Sequence, residues 1–226
     1  MFPHCQSRRL LALTLLILPG LAGTARAQTS FDMPAVSEYA ARGAALGSGP
    51  ALQLRVEHDA ESGWYVGAFA SPATIEGRRQ GQLIAYTGRA QRLTSTLSWD
   101  AGVTRTAFTR DGGEANYHEF YAGLALQRGT VRLFYSHAYY GEGRTAYLDV
   151  NAAYPLTERL HLALHAGLLH PFGAYPGAAG GSDARIALGA NVGDVSLEAG
   201  WQVKAHAYFD TGRPARALSA RASLRF

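Results

Sequence analysis

Eleven charged side chains recur on one parity of an alternating pattern: Arg55, Glu57, Arg89, Asp100, Glu119, Asp149, Arg185, Glu198, Lys204, Arg221 and Arg225. Taken singly, such residues form charge pairs that hold a narrow interior in shape. Taken together, they form a charged constriction able to select ions or small anionic solutes. Catalysis is poorly served by the spacings. A hydrolase needs a serine within hydrogen-bond reach of a histidine, with a third group orienting the base. Ser136 and His137 are adjacent, so a strand points them to opposite faces. His161 and His165 share a face but lie about 13 Å apart along a strand, too far to hold one metal together. His118 falls on the apolar parity beside a loop. Gly-x-Ser-x-Gly, Gly-rich phosphate loops and paired-carboxylate motifs do not occur. The expectation is a protein without catalytic residues, metal ligands or cofactor.

The elements that position these charges read as strands. Strand geometry sends alternate side chains to opposite faces, and one face is apolar in segment after segment. Val195, Leu197, Ala199, Trp201, Val203 and Ala205 oppose Ser196, Glu198, Gly200, Gln202, Lys204 and His206. The same alternation runs through Asp183–Val192, Leu160–His170, Ala146–Leu156, His118–Leu126, Leu97–Phe108 and the stretch from Leu52 to Glu57. Trp64–Ala70, Gln82–Arg92 and Val131–Tyr140 alternate less cleanly, and Val36–Ala45 is weaker still. The closing segment, Ala217–Phe226, sets Leu218, Ala220, Ala222, Leu224 and Phe226 against small and basic residues. Twelve segments of about 9–11 residues match what tilted strands need to cross a bilayer, and an even count suits a single-chain outer-membrane barrel.

Chain connections give a second indication. Ala60–Gly63, Leu93–Ser95, Gly129-Thr130, Thr157–Arg159 and Gly193-Asp194 are short. Ser71–Gln80, Thr109–Ala115, Pro171–Ser182 and Phe209–Arg216 are longer, while Leu46–Pro50 and Gly141–Arg144 are modest. Short periplasmic turns alternating with longer outer loops are the barrel arrangement. A periplasmic sandwich also alternates apolar and polar positions, but here the polar parity carries glycine, charges and amides where a dry core would be needed. The fold expected is therefore an all-β antiparallel transmembrane β-barrel of about twelve strands.

Arg8 and Arg9 precede an apolar run, Leu10 to Leu21, and a small-x-small exit at Ala25-x-Ala27. Residues 1–27 thus read as a cleaved signal peptide, and residues 28–226 as the barrel domain. The run is too short for a spanning helix. Cys5 is the only cysteine and leaves with that leader, so the mature chain forms no internal disulfide. Of the 21 basic residues, Arg8, Arg9 and Arg26 also leave, and 18 remain against 17 acidic ones. That balance gives no reason to expect nucleic acid as a partner. The partners expected are outer-membrane lipid, the barrel-assembly machinery, and ions or small polar solutes.

Several short motifs resemble the TorF-like porin family of Gram-negative outer membranes. Ser37-Glu38-Tyr39-x-x-Arg42-Gly43 is similar to its S-[DE]-Y-x-x-R-G signature. The resemblance continues through Pro50-Ala51-Leu52-Gln53, Glu57-His58-x-x-Ser62-Gly63-Trp64-Tyr65-Val66-Gly67 and Asn116-Tyr117-x-Glu119-x-Tyr121-Ala122-Gly123-Leu124. It ends in Tyr147-Leu148-Asp149-Val150-Asn151-Ala152-x-Tyr154-Pro155-Leu156. The resemblance implies a small outer-membrane barrel acting as a passive channel, with no catalytic residues to transfer. It departs at Ala40-Ala41, where the family carries an aromatic after the tyrosine. Resemblance to barrel proteins also implies that Phe226, with Leu224 and Ala222 behind it, is the point the assembly machinery recognises. Two alternatives stay open: a closed or plugged structural or adhesin barrel, favoured if Pro171–Ser182 folds inward, and a membrane-lipid-modifying barrel enzyme.

Overall fold

In the computed structural model, the described residues are 28–42, 44–47, 49–75, 77–110, 113–173, 180–205 and 216–225. The leader assigned to residues 1–27 and the terminal Phe226 lie outside them. Fifteen strands occur among the described residues: β1 (Gln28–Val36), β2 (Ala40–Ala41), β3 (Ala44–Ala45), β4 (Ala51–Leu52), β5 (Leu54–Asp59), β6 (Trp64–Ile75), β7 (Arg78–Arg92), β8 (Leu97–Phe108), β9 (Tyr117–Leu126), β10 (Gly129–Ser136), β11 (Arg144–Pro155), β12 (Leu160–Phe172), β13 (Gly181–Val192), β14 (Val195–Ala205) and β15 (Arg216–Arg225). A 3-10 turn, Tyr139–Gly141, precedes β11.

Every large strand pairs antiparallel with its sequence neighbour, and β15 returns to β1 with Met33 opposite Leu224 and Val36 opposite Arg221. β4 and β5 are two pieces of one stave, interrupted at Gln53, so the closed barrel has twelve staves. Closure removes the free sheet edge and satisfies every ladder, the condition for a sheet in lipid.

The faces divide by parity. Phe120 (64 % exposed), Leu124 and Leu126 point outward from β9, as do Ile186 and Leu188 from β13 and Leu218 (75 % exposed) from β15. Glu119, Asp100, Asp149 and Glu198 are buried on the inner face. An arginine on the outer face near a bilayer midplane would cost about 2–4 kcal/mol, which explains the near absence of charge there.

Tyrosines fill the interior by lying over glycines of the next strand. A Cβ on Gly67 would meet the Tyr86 ring, and one on Gly102 would meet the Tyr121 hydroxyl and the Thr87 carbonyl. The Tyr121 hydroxyl also bonds that of Tyr65 at 2.5 Å. Gly102→Val therefore displaces a paired tyrosine, and overpacking of this kind costs about 1–3 kcal/mol. A lowered urea midpoint in lipid is expected. Gly49→Ala, with open space around it, leaves the midpoint unchanged.

Three expectations from the sequence are corrected. The first stave is Gln28–Val36, and most of the segment assigned to Val36–Ala45 folds inward instead. Tyr39, Ala44 and Leu46 sit at even or odd positions indifferently because all of them are buried. Ser71–Gln80 is no long loop: β6 and β7 run on to Ile75 and Arg78, paired up to a two-residue link. Their polar inner residues, Ser71, Gln80 and Gln82, are buried, which makes a strand look like a loop. The turn after β9 is at residues 127–128, so Gly129-Thr130 already belongs to β10.

Candidate functional site: the lumen and its inward hairpin

The end of the barrel with short turns also holds the start of β1. From the opposite end, residues 38–42 and 44–46 turn into the lumen. Ser37 prolongs the ladder, its N–H donating to the Ala220 carbonyl and its Oγ accepting from the Ala220 N–H, both at 3.0 Å. Beyond it, Tyr39 drops inward, donates its hydroxyl to Gln82 at 2.5 Å and packs on Phe69. β2 and β3 then pair as a tiny hairpin, Ala41 opposite Ala44. Its return limb is tied to β6 through the Thr74 N–H and the Leu46 carbonyl at 2.6 Å.

Arg42 stands at the tip of this hairpin with φ +50°. A two-residue hairpin turn favours Asn or Gly at such positions, because a side chain in the left-handed region costs about 1–3 kcal/mol. What holds Arg42 there is a bidentate pair with Glu119, Nη1 to Oε1 and Nη2 to Oε2, the second at 2.6 Å. Its guanidinium also lies over the rings of Phe134, Tyr147 and Tyr139, 4.8 to 5.6 Å from their centroids. Tyr139 and Tyr140 in turn stack with Tyr117 and Phe108, closing an aromatic layer above the latch. The short motif Ser37-Glu38-Tyr39-x-x-Arg42 is thus the anchoring apparatus of an inward hairpin.

Below the hairpin the lumen charges are paired across staves. Arg132 meets Asp100 at 2.8 Å, and Asp100 also accepts from the Tyr65 hydroxyl at 3.1 Å. Glu57 accepts from Tyr86 at 2.6 Å. His165 sits between two carboxylates, 3.2 Å from Asp149 and 2.6 Å from Asp183, with Asn151 at 3.0 Å from its Nδ1. Both ring nitrogens face acceptors, so the imidazolium is the form that satisfies the site. Arg185 pairs with Glu198 at 2.9 Å and Arg221 with Asp32 at 3.0 Å. His161 approaches Glu198 only to 3.8 Å. Between hairpin and walls a cavity of about 360 Å³ remains, lined by Arg55, Glu57, Arg185, Lys204 and Arg221 among others.

Of the eleven charges singled out in the sequence, nine have side chains on the inner parity. Arg89 does not. It is exposed on β7 opposite Trp64, on the outward parity with Leu83, close to the short-turn end. The inner face of β7 is instead Gln80, Gln82, Ile84, Tyr86, Gly88 and Ala90, so apolar and polar residues occur on both sides of that strand and parity misleads. The Arg225 side chain and Phe226 lie outside the described residues. Sequence reasoning missed Asp32, Arg42, Arg132 and Asp183. Asp32 and Arg42 lay beyond or within the misplaced first strand. Arg132 shares its face with buried Phe134, which blurs the alternation. Asp183 was legible, being on the parity of Arg185.

A profile of bacterial proteins of unknown function, Gcw_chp, matches residues 22–224. The chain belongs to the Gcw_chp family. No curated protein sequence matches it. Among solved structures, this Gcw_chp chain is similar to the NanC porin (TM-score 0.59, 13 % identity, 87 % of this chain and 98 % of that one). It is likewise similar to the KdgM porin (TM-score 0.54, 12 % identity, 87 % and 98 %). These likenesses show that the chain shares with these porins the fold of a closed antiparallel β-barrel.

Proposed function

We propose that this Gcw_chp protein is a porin-like channel of the outer membrane, passing ions and small polar solutes through a lumen narrowed by the hairpin of residues 37–50. The observation that carries this reading is the cavity of about 360 Å³ lined with charged groups inside a closed barrel whose outer face is apolar. Twelve staves enclose more room than the eight whose side chains just fill a barrel, and less than the sixteen of a wide aqueous pore. An inward hairpin makes such a lumen selective without sealing it. The porin fold and the order of the motifs resembling TorF-like porins support the same reading. Residues 1–27 serve as the export signal, and Phe226 as the contact for barrel assembly.

The plugged structural barrel has one observation in its favour, the depth of the Arg42 latch. The inward segment seen is the hairpin that follows β1; of the loop the sequence pointed to, Pro171–Ser182, residues 174–179 lie outside the described residues. A lipid-modifying enzyme is not favoured: the partners of His165 are carboxylates, an amide and the Tyr147 hydroxyl, with no serine among the described residues bonded to it. Liposome swelling tests the channel. Vesicles containing refolded protein are expected to swell in isotonic solutions of amino acids or small sugars and not in those of a trisaccharide. Absence of swelling with every solute would favour the plug.

A further inference from the structure

The outer face carries a pattern that conduction through the lumen does not require. On β8, β9 and β11 the carboxylates Asp100, Glu119 and Asp149 face inward and are buried. Among the described residues, no carboxylate lies on the outward parity of β8–β12, yet basic side chains do. Arg105 follows Val103 on β8, His118 precedes Phe120 on β9, Arg144 leads toward Leu148 on β11, and His170 lies between Leu168 and Phe172 on β12. All four are exposed, and all lie within three residues of the strand end beside the longer connections. Glu114 and Glu142 at this end belong to the connections and not to the strands.

The register joins the four into a belt. Arg105 stands opposite His118, Arg144 opposite Phe172, and His170 opposite Ala146. The Arg105 Nη1–H donates to His118 Nδ1 at 2.8 Å. A guanidinium cannot accept, so the neutral His118 ring carries its proton on Nε2 and offers a second donor. Tyr135 of β10 fills the remaining stave, its ring 6.3 Å from that of Phe172, which meets the His170 ring edge-on at 5.1 Å. Aromatic rings on the outer wall mark the depth of a membrane–water interface. At that depth an outward arginine costs about 0–1 kcal/mol instead of the midplane penalty. Lipid phosphates lie at the same depth, and a guanidinium fork matches their oxygens.

We propose that Arg105, His118, Arg144 and His170 form a lipid-facing site for the phosphate headgroup of an anionic membrane lipid, at the long-loop rim of the barrel. The site rests on the outer-membrane reading for its setting and is measured without conduction. Refolded protein in detergent is titrated with phosphatidic acid and, separately, with phosphatidylcholine of the same acyl chains, and bound lipid is counted by native mass spectrometry. Phosphatidic acid is expected to bind about tenfold more tightly. Arg105→Gln and Arg144→Gln should each weaken it about fivefold. Arg89→Gln removes the same charge from the outer face at the short-turn end and should leave it unchanged. The heat-modifiable gel shift checks that every variant is folded. Equal affinity for the two lipids, or an equal loss in Arg89→Gln, overturns the site. Displacement of phosphatidic acid by millimolar inorganic phosphate would mean that the belt takes a soluble anion, and overturns the lipid assignment. A silent bilayer with intact lipid selectivity would refute the channel and not this site.

Discussion

Arg42→Ala is expected to release the hairpin and to widen the lumen. The substitution removes the cation from Glu119, which is 3 % exposed and, among the described residues, keeps the Thr104 hydroxyl at 3.4 Å as a further partner. Breaking a buried pair by deleting one partner costs about 3–5 kcal/mol. Here the cost falls on the docked hairpin, because undocking lets water reach Glu119. Each 1.4 kcal/mol shifts the docked-to-undocked ratio about tenfold. Alanine also inherits a left-handed backbone without the contacts that held arginine there. Ala44 reports the outcome. It is 2 % exposed at the hairpin, and the only native cysteine, Cys5, belongs to the segment proposed as an export signal. In an Ala44→Cys background, labelling by a water-soluble thiol reagent should be slow, and Arg42→Ala should speed it by about two orders of magnitude. Arg42→Lys keeps the charge but not the fork, and should fall between. Equal labelling rates in all three proteins would mean that the latch does not hold the hairpin.

The second large effect concerns His165. Asp149 is 1 % exposed and faces His165 from β11, while Asp183 faces it from β13. His165→Ala leaves two carboxylates across an empty site, and the cost is again about 3–5 kcal/mol. Three adjoining staves depend on this triad, so the urea midpoint of the refolded protein in lipid should fall markedly. The diagnostic test is the double variant. Adding Asp183→Asn removes one of the two uncompensated charges and should recover part of the loss, a coupling of at least about 1 kcal/mol. If His165→Ala and Asp183→Asn add independently, the triad is not a unit.

The barrel itself was legible because lipid enforces a strict period. Residues such as Leu197, Ala199 and Trp201 must face outward, and Glu198 must then face in. Legibility failed where that constraint is absent. Tyr39 and residues 44–46 pack inside the barrel, so their pattern answers to the lumen; Ala44, Ala45 and Leu46 are all buried in succession. Arg89 misled because β7 mixes glutamines and apolar residues on its inner face, next to the hairpin that Gln82 anchors. The partners of the predicted charges were unreadable for another reason. Glu119 meets Arg42 across 77 positions of sequence, and Asp32 meets Arg221 across 189. Only barrel closure and an inward fold bring such residues together.

The central claim is that an open, charged lumen is throttled by the hairpin. Single-channel recording in a planar bilayer tests it most directly, comparing the wild type with a variant in which residues 38–47 are replaced by a short glycine-serine link. The expected result is discrete small steps for the wild type and steps several-fold larger for the variant. Silence from both proteins at all voltages, with the heat-modifiable shift proving that they are folded, would contradict it.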